Sequence, residues 1–319
     1  MLKHKKIRRR RPVDRIAASD AMDLNPLNPP LSKSSLDVSG RIFVITGGTQ
    51  GLGLECARHL KIYGAKGLVL VSRSGDLAAE ACRELGDDSC RCAFVCADLA
   101  DANEAASVMS RAAEAMKGLG YISGVVNAAA TTARGNLMTE TADGFDRQFA
   151  VNTRAPFLTT QGFAKEMERI RGDGSSTGGA AVRQGSVVNI CSVAARGGAP
   201  FVMAYSASKA ALVNLVKNNA AELATRGIRV NGINMGQCLT DNEDKVQRAQ
   251  AGSADDSWVT KADANVPLGR ILRPADVAPM VVFLLSDAST MMTGGIIDLH
   301  PDFADGMCSL LTEDERGKD

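Results

Sequence analysis

Short apolar, β-branched runs alternate along this chain with longer stretches whose apolar positions recur every three to four residues. The runs fall at 41–46, 68–72, 91–97, 123–127, 185–191, 228–233 and 295–299 and read as strands. Helices are predicted between them, at about 51–63, 76–85, 101–117, 139–150, 152–171, 203–225 and 274–286. A length of 319 residues would permit about two domains. The alternation is continuous from residue 40 to 303, however, which predicts a single doubly wound α/β domain.

The flanks break the pattern. Residues 1–39 open with a basic block, HKKIRRRRP, and continue into the proline-rich NPLNPPLSKSS, which reads as a disordered arm. Nuclear, nucleic-acid and organelle-targeting roles stay open for it, although the clustered charge argues against a clean amphipathic transit helix. Residues 304–319 read as a C-terminal tail. The whole chain is 45% hydrophobic and 23% charged with net charge +1, an ordinary globular composition that makes no general case for nucleic acid. No apolar run approaches the ~20 residues of a membrane span, and no apolar core of a secretion signal is present. The expectation is an intracellular, chiefly cytoplasmic protein with no membrane partner.

Candidate chemistry begins at RIFVITGGTQGLG, residues 41–53. Strand, glycine-rich turn and helix in this order are the context that a dinucleotide-binding fingerprint requires. Gly47 allows the tight turn, and Gly51 and Gly53 let backbone approach a pyrophosphate at a helix N-terminus. The spacing here is G-x-x-x-G-x-G. The second strand ends in Ser72 and Arg73, with no acid until Asp76. An arginine there accommodates the 2′-phosphate of NADP, whereas an acid would bind the 2′-hydroxyl of NAD. NADP(H) is therefore expected over NAD(H), the alternative being an exposed loop arginine. The third strand leads to Asp98 and Leu99, placed to reach adenine, and the fourth ends in Asn127 followed by small residues. In MAYSASKAAL, Tyr205 and Lys209 lie one helical turn apart, and Ser192 precedes the tyrosine by thirteen residues. A neighbouring ammonium favours the phenolate and should lower the tyrosine pKa from about 10 toward a working range.

TGGTQGLG, the ADL after the third strand, VVNAAA, Asn152 in FAVNTRAPF, Ser192, YSASK and RVNGINMG occur in order. Together they resemble the short-chain dehydrogenase/reductase family, in its roughly 250-residue branch, from about Gly40 to about Phe303. The resemblance, with right-handed crossovers, implies a Rossmann-type parallel sheet of seven strands in the order 3-2-1-4-5-6-7. It implies Tyr205 as general acid/base, Lys209 lowering its pKa and holding the nicotinamide ribose, and Ser192 polarising the substrate oxygen. Asn152 would position a water linking Lys209 to solvent. Gly47, Thr49, Gly51, Leu52 and Gly53 would bracket the pyrophosphate; Asp98, Asn127 and Ala128 would contact adenine and its ribose; and Gly236 and Thr240 would lie at the nicotinamide end, Thr240 near the carboxamide. The implied reaction is hydride transfer between NADP(H) and a secondary alcohol or carbonyl, with a sugar or polyol favoured and other carbonyl compounds, 3-oxoacyl groups among them, as alternatives. A homodimer or homotetramer formed through 152–171 and 203–225 is implied as well.

Three departures stand out. Ala129 replaces a family glycine, Met235 replaces the proline that usually precedes Gly236 and could loosen the wall beside the nicotinamide, and Gln50 is not basic, leaving Arg73 to carry any 2′-phosphate preference. Residues 171–185 are glycine- and serine-rich and read as a surface loop away from the site. Residues 237–266, with the only tryptophan, Trp258, read as a substrate lid or as an ordinary covering helix pair. Cys90, Cys92 and Cys96 alternate on one strand face without a histidine cluster, which favours structural burial over metal ligation. Two rivals remain in view: an epimerase or dehydratase of related fold, and a non-catalytic NADP(H)-binding redox sensor.

Overall fold

The computed structural model describes residues 36–172, 184–251 and 257–301. Seven parallel strands form one sheet: β1 (Ile42–Thr46), β2 (Gly67–Ser72), β3 (Arg91–Cys96), β4 (Ile122–Asn127), β5 (Gly185–Ile190), β6 (Ile228–Met235) and β7 (Ile296–Leu299). Their order is β3-β2-β1-β4-β5-β6-β7, as the sequence predicts. The connecting helices are α1 (Gly51–Ile62), α2 (Gly75–Leu85), α3 (Ala102–Ala115), α4 (Ala142–Phe149), α5 (Ala155–Gly172), α6 (Met203–Leu223), α7 (Asp241–Ala251), α8 (Ser257–Ala264) and α9 (Pro274–Leu285).

Strand periodicity divides the core in two. Side chains alternate across a strand, so Val44, Val69, Val125 and Val187 face one layer, where Met109, Phe163 and Leu212 from α3, α5 and α6 meet them. Phe43, Ile45, Leu68 and Leu70 face the other, against Leu60, Leu85 and Val281 from α1, α2 and α9. Both faces of the central strands are covered, so β1, β4 and β5 are buried along their whole length. The edge strand β3 keeps Arg91 and Cys96 exposed.

Three local differences from the sequence reading have physical causes. The domain starts before residue 40: Val38 is fully buried and its N–H donates to Tyr63 O. A lone valine in a polar stretch carries no periodic signal. The expected break between helices near 151 is instead a π-helical turn, Ala150–Arg154, running directly into α5. Residues 237–266 hold the helix pair α7 and α8, joined by Trp258 Nε1 donating to Asp244 Oδ1 at 2.9 Å. The arm up to residue 35, most of the glycine- and serine-rich loop (173–183) and the tail from 302 lie outside the described residues.

Among the described residues no helix is long and apolar enough to cross a membrane, and no group of His, Cys, Asp and Glu could hold a metal ion.

The far end of the sheet is closed by one arginine. Arg229 on β6 donates to Leu284 O at 2.8 Å, Ser286 O at 3.1 Å, Met292 O at 3.3 Å and Ser289 Oγ at 2.9 Å. These groups surround the C-terminus of α9, whose last carbonyls have no helical donors. Burial pulls the guanidinium down to about 10, still charged at neutral pH. Arg229→Met should leave several buried carbonyls unpaired and cost about 3 kcal/mol or more. The check is thermal unfolding, where a drop of about 6–10 °C is expected; an unmoved Tm would show that water replaces the arginine without loss.

Candidate active site

The C-terminal ends of the strands converge on one crevice edge. After β1 the chain turns through Gly47 (φ +67) and Gly51 (φ +52), conformations that side chains resist. Gly53 packs so closely on the Gly47 carbonyl that a Cβ there has no room. A Cβ on Gly47 would stand 3.0 Å from Ala129 Cα, so the loop after β4 presses on this turn. Helix α1 then begins without a side-chain cap from Gln50 and without an acid in its first turn. Its N-terminal N–H groups and dipole are left for an external anion, so a dinucleotide pyrophosphate fits the residues present. Thr49 is buried beside them, and Leu52 is half-buried.

One strand farther out, at the end of β2, the Ser72 hydroxyl accepts from Ser74 N at 3.3 Å, which shapes the turn that carries Arg73. Arg73 is exposed. Asp98 is half-buried: its Oδ1 accepts from Ala100 N at 3.0 Å, and Arg147 lies 3.8 Å from its Oδ2. Leu99 is buried beside it. The Asn127 side chain is taken up inside the fold. It donates to Asn189 Oδ1 at 3.0 Å and accepts from Thr159 Oγ1 at 2.7 Å, riveting β4 to β5 and α5. What Asn127 and Ala128 offer the crevice is main chain.

On the other side of the crevice, Ser192 ends β5's exit and caps a short 3₁₀ turn through Ala194 N. Tyr205 and Lys209 project from the first turns of α6. Ser206 Oγ donates to Ala194 O at 2.6 Å, clamping α6 onto the Ser192 loop. Lys209 is 2% exposed, donates to Ile190 O at 2.7 Å, and holds its Nζ 5.7 Å from the centre of the Tyr205 ring. The Asn152 amide sits in the π turn, fully buried. It exchanges hydrogen bonds with Thr131 main chain, both at 2.9 Å, and donates to Ser208 Oγ at 3.0 Å. Ser208 Oγ in turn donates to Tyr205 O at 2.7 Å. The predicted catalytic residues are thus brought together, and Thr131, Ile190 O, Ser206 and Ser208 join them. Ser208 was within reach of sequence reasoning, since it lies three residues beyond Tyr205 on a helix.

The electrostatics correct one expectation. Burial pushes Tyr205 up to about 12, outweighing the hydrogen bond from Ser192 that favours the phenolate; Cys191 and Glu243 add to the rise. Burial also pulls Lys209 from 10.5 down to about 8. The ammonium therefore does not depress the phenol here; desolvation governs both groups. Cys191 and Cys238 are buried, and burial raises both thiols, to about 11 and about 12.

At the nicotinamide end, β6 pairs with β7 through Met235 and Leu299, and Gly236 N donates to Leu299 O at 3.1 Å. A Cβ on Gly236 would meet His300 Cβ at 2.7 Å. A Cβ on Gly51 would stand 3.7 Å from the Thr240 side chain, whose hydroxyl accepts from Glu243 N at 3.2 Å, capping α7. Glu243 Oε1 accepts from Gln237 and Gln247 at 3.1 and 2.7 Å.

The family model described as short chain dehydrogenase matches residues 41–251. The chain belongs to that family. It is 31% identical over 268 residues to 2-(S)-hydroxypropyl-CoM dehydrogenase 3 of Xanthobacter autotrophicus, covering 81% of this chain and 94% of that one. Oxidoreductase UcpA of Salmonella typhimurium is 32% identical over 257 residues, covering 81% and 92%. Among solved structures, L-sorbose reductase of Gluconobacter frateurii, complexed with NADPH and L-sorbose, superposes with a TM-score of 0.75 at 25% identity, covering 86% of this chain and all of that one. A candidate NAD(P)-dependent gluconate 5-dehydrogenase of Beutenbergia cavernae with bound NADP gives 0.71 at 29%, covering 83% and 97%. The chain is accordingly an NAD(P)-dependent dehydrogenase/reductase.

A lysine held at about 8 costs stability wherever it is charged. The cost is full below pH 8, about 3 kcal/mol for a shift of this size, and fades as pH rises from 8 to 10.5. Lys209→Met removes it, at the loss of about 1–2 kcal/mol from the donor to Ile190 O. Calorimetry should find the variant inactive yet melting about 2–4 °C above wild type at pH 7. The gap should narrow toward pH 10. A gap that stays constant with pH would mean that the ammonium is not the source of the cost.

Proposed function

We propose that this short-chain dehydrogenase interconverts a secondary alcohol with a ketone or aldehyde, using NADP(H), on a sugar- or polyol-like substrate. The observation that carries the reading is Tyr205 at the strand-end crevice, with the buried Lys209 Nζ 5.7 Å from its ring centre and Ser192 close enough to favour its phenolate. The dinucleotide supplies the hydride in reduction and takes it in oxidation. Ser192 holds the substrate oxygen. Tyr205, protonated at neutral pH, donates its proton to that oxygen as the carbonyl carbon becomes the alcohol carbon, and Ser192 favours the phenolate left behind. Oxidation runs the same proton in reverse and is helped by rising pH, because the phenol must first give its proton up.

NADP(H) is favoured over NAD(H) because Arg73 stands exposed at the end of β2, and the NADPH and NADP complexes of the similar structures support the choice. The polyol reading rests on the polar wall made by Glu243, Gln237 and Gln247, close enough for Glu243 to raise the Tyr205 pKa. Carboxylate and amide groups of this kind suit hydroxyl groups. The low aromatic content of 4% agrees with it. Asp98 beside the Arg73 turn, and the main chain of Asn127 and Ala128, would line the adenosine; Gly47, Thr49, Gly51, Leu52 and Gly53 the pyrophosphate; Gly236 and Thr240 the nicotinamide side. Asn152 would serve the proton path from the π turn. We also infer a homo-oligomer, supported by exposed Phe145 and Phe157 beside a groove lined by Phe149, Phe157 and Leu215 on α4, α5 and α6. The described cysteines are all free thiols, which supports a reducing, intracellular setting.

Steady-state assays across a sugar, polyol and ketone panel with both cofactors test the proposal. Tyr205→Phe should lower kcat by about 10²–10⁴ while NADPH still binds by fluorescence; wild-type turnover in that variant removes the tyrosine from the mechanism. Arg73→Asp should shift the NADPH-to-NADH ratio of kcat/KM by about tenfold or more toward NADH, the worth of about one charged contact to phosphate. Binding of NADPH with no turnover on any panel member would favour a cofactor sensor instead.

A further inference from the structure

Away from the crevice, Cys82 near the end of α2 and Cys92 on the edge strand β3 bring their sulfurs to 3.2 Å. This is closer than the about 3.5–4.0 Å at which smaller carbon atoms sit in contact. We infer that Cys82 and Cys92 form a modification site: a thiol pair that closes to a disulfide under a disulfide oxidant such as oxidised glutathione, stapling α2 to β3, and reopens under thiol reductants.

The geometry is largely prepared. The sulfurs need to close by only about 1 Å to reach a bonded distance of about 2.05 Å. The backbone between them is already a fixed hairpin of helix and strand: Gly86 N donates to Cys82 O at 2.9 Å, and Asp87 and Cys90 exchange main-chain hydrogen bonds. Lys61 on α1 holds Asp87 at 2.8 Å. Both cysteines are half-buried, so a small oxidant has access, whereas Cys56, Cys90, Cys191 and Cys238 are buried. Cys96 is exposed but lies four residues along the strand, with its thiol toward Arg73 O at 3.8 Å.

The pair also has an attacking and a resolving member. The Cys92 thiol donates to Cys82 sulfur, which lowers the Cys82 pKa and raises that of Cys92. Cys82 thiolate attacks one sulfur of glutathione disulfide, forming a protein–glutathione disulfide and releasing glutathione thiolate. Cys92 loses its proton, attacks the Cys82 sulfur, and expels the second glutathione. Two protein thiols lose two electrons and two protons; one glutathione disulfide becomes two glutathiones. None of the residues of the crevice takes part, so the staple should alter stability rather than chemistry.

The test uses the full chain, equilibrated in glutathione buffers of graded ratio, alkylated and digested with trypsin. Cleavage after Arg83 and Arg91 separates the partners, so the disulfide appears as Ser74–Arg83 joined to Cys92–Arg111. Closing this short loop should raise Tm by about 5 °C over the dithiothreitol-reduced protein. Cys82→Ser and Cys92→Ser should each abolish the rise while keeping the wild-type kcat. An unlinked pair under fully oxidising buffer, a link to a different cysteine, or a linked protein with unmoved Tm overturns the inference.

Discussion

A buried ammonium governs this molecule. Lys209 is shut away from water at the end of β5, where it donates to the main-chain carbonyl of Ile190. That position is unfavourable for a charge, and it persists because α6 is clamped on both sides. Ser206 ties it to Ala194, Ser208 ties it toward Asn152, and small residues let the helix approach the sheet. The rest of the fold can be understood as the scaffold that tolerates this strain. The sheet is covered on both faces, and two continuous apolar layers supply the stability from which the site subtracts.

The same desolvation sets the chemistry. Tyr205 with a pKa near 12 is a poor base but a reliable store of one proton at neutral pH. A lysine near 8 still carries its charge at neutrality, so the site bears the burial cost of that charge at working pH. Proton donation is therefore the easier direction for the residues as they stand. The hydrogen bond from Ser192 is what keeps the phenolate within reach.

Much of this was legible in the sequence, for reasons that can be named. The strands announced themselves because burial on both faces demands apolar runs, as in IFVI of β1 and LVLV of β2. The nucleotide turn was legible because positive φ at Gly47 and Gly51 admits few residues. Tyr205 and Lys209 were legible because four residues make one helical turn. Other features left no periodic trace. Val38 is buried by a loop, the π turn at Ala150–Arg154 differs from a helix by one shifted hydrogen bond, and Asn127 turns its amide into the sheet, where it donates to Asn189 and accepts from Thr159. The sign of the Tyr205 shift was misread for a related reason: spacing reports which face a group shares, while desolvation depends on everything packed around that face.

Thr240 shows how the two halves of the crevice are joined. Its side chain stands beside Gly51 in the nucleotide turn, and its hydroxyl caps the helix that carries Glu243. A helix cap fixes the direction of the first turn, and the first turn is where Glu243 meets Gln237. The Glu243–Gln237 pair is therefore positioned from the side of the nucleotide turn, through one threonine. Met235 belongs to the same arrangement. β6 stays in register with β7 as far as Met235 and Leu299, and Gly236 N donates to Leu299 O, so the chain leaves the sheet at Gly236 in a fixed direction on its way to Thr240.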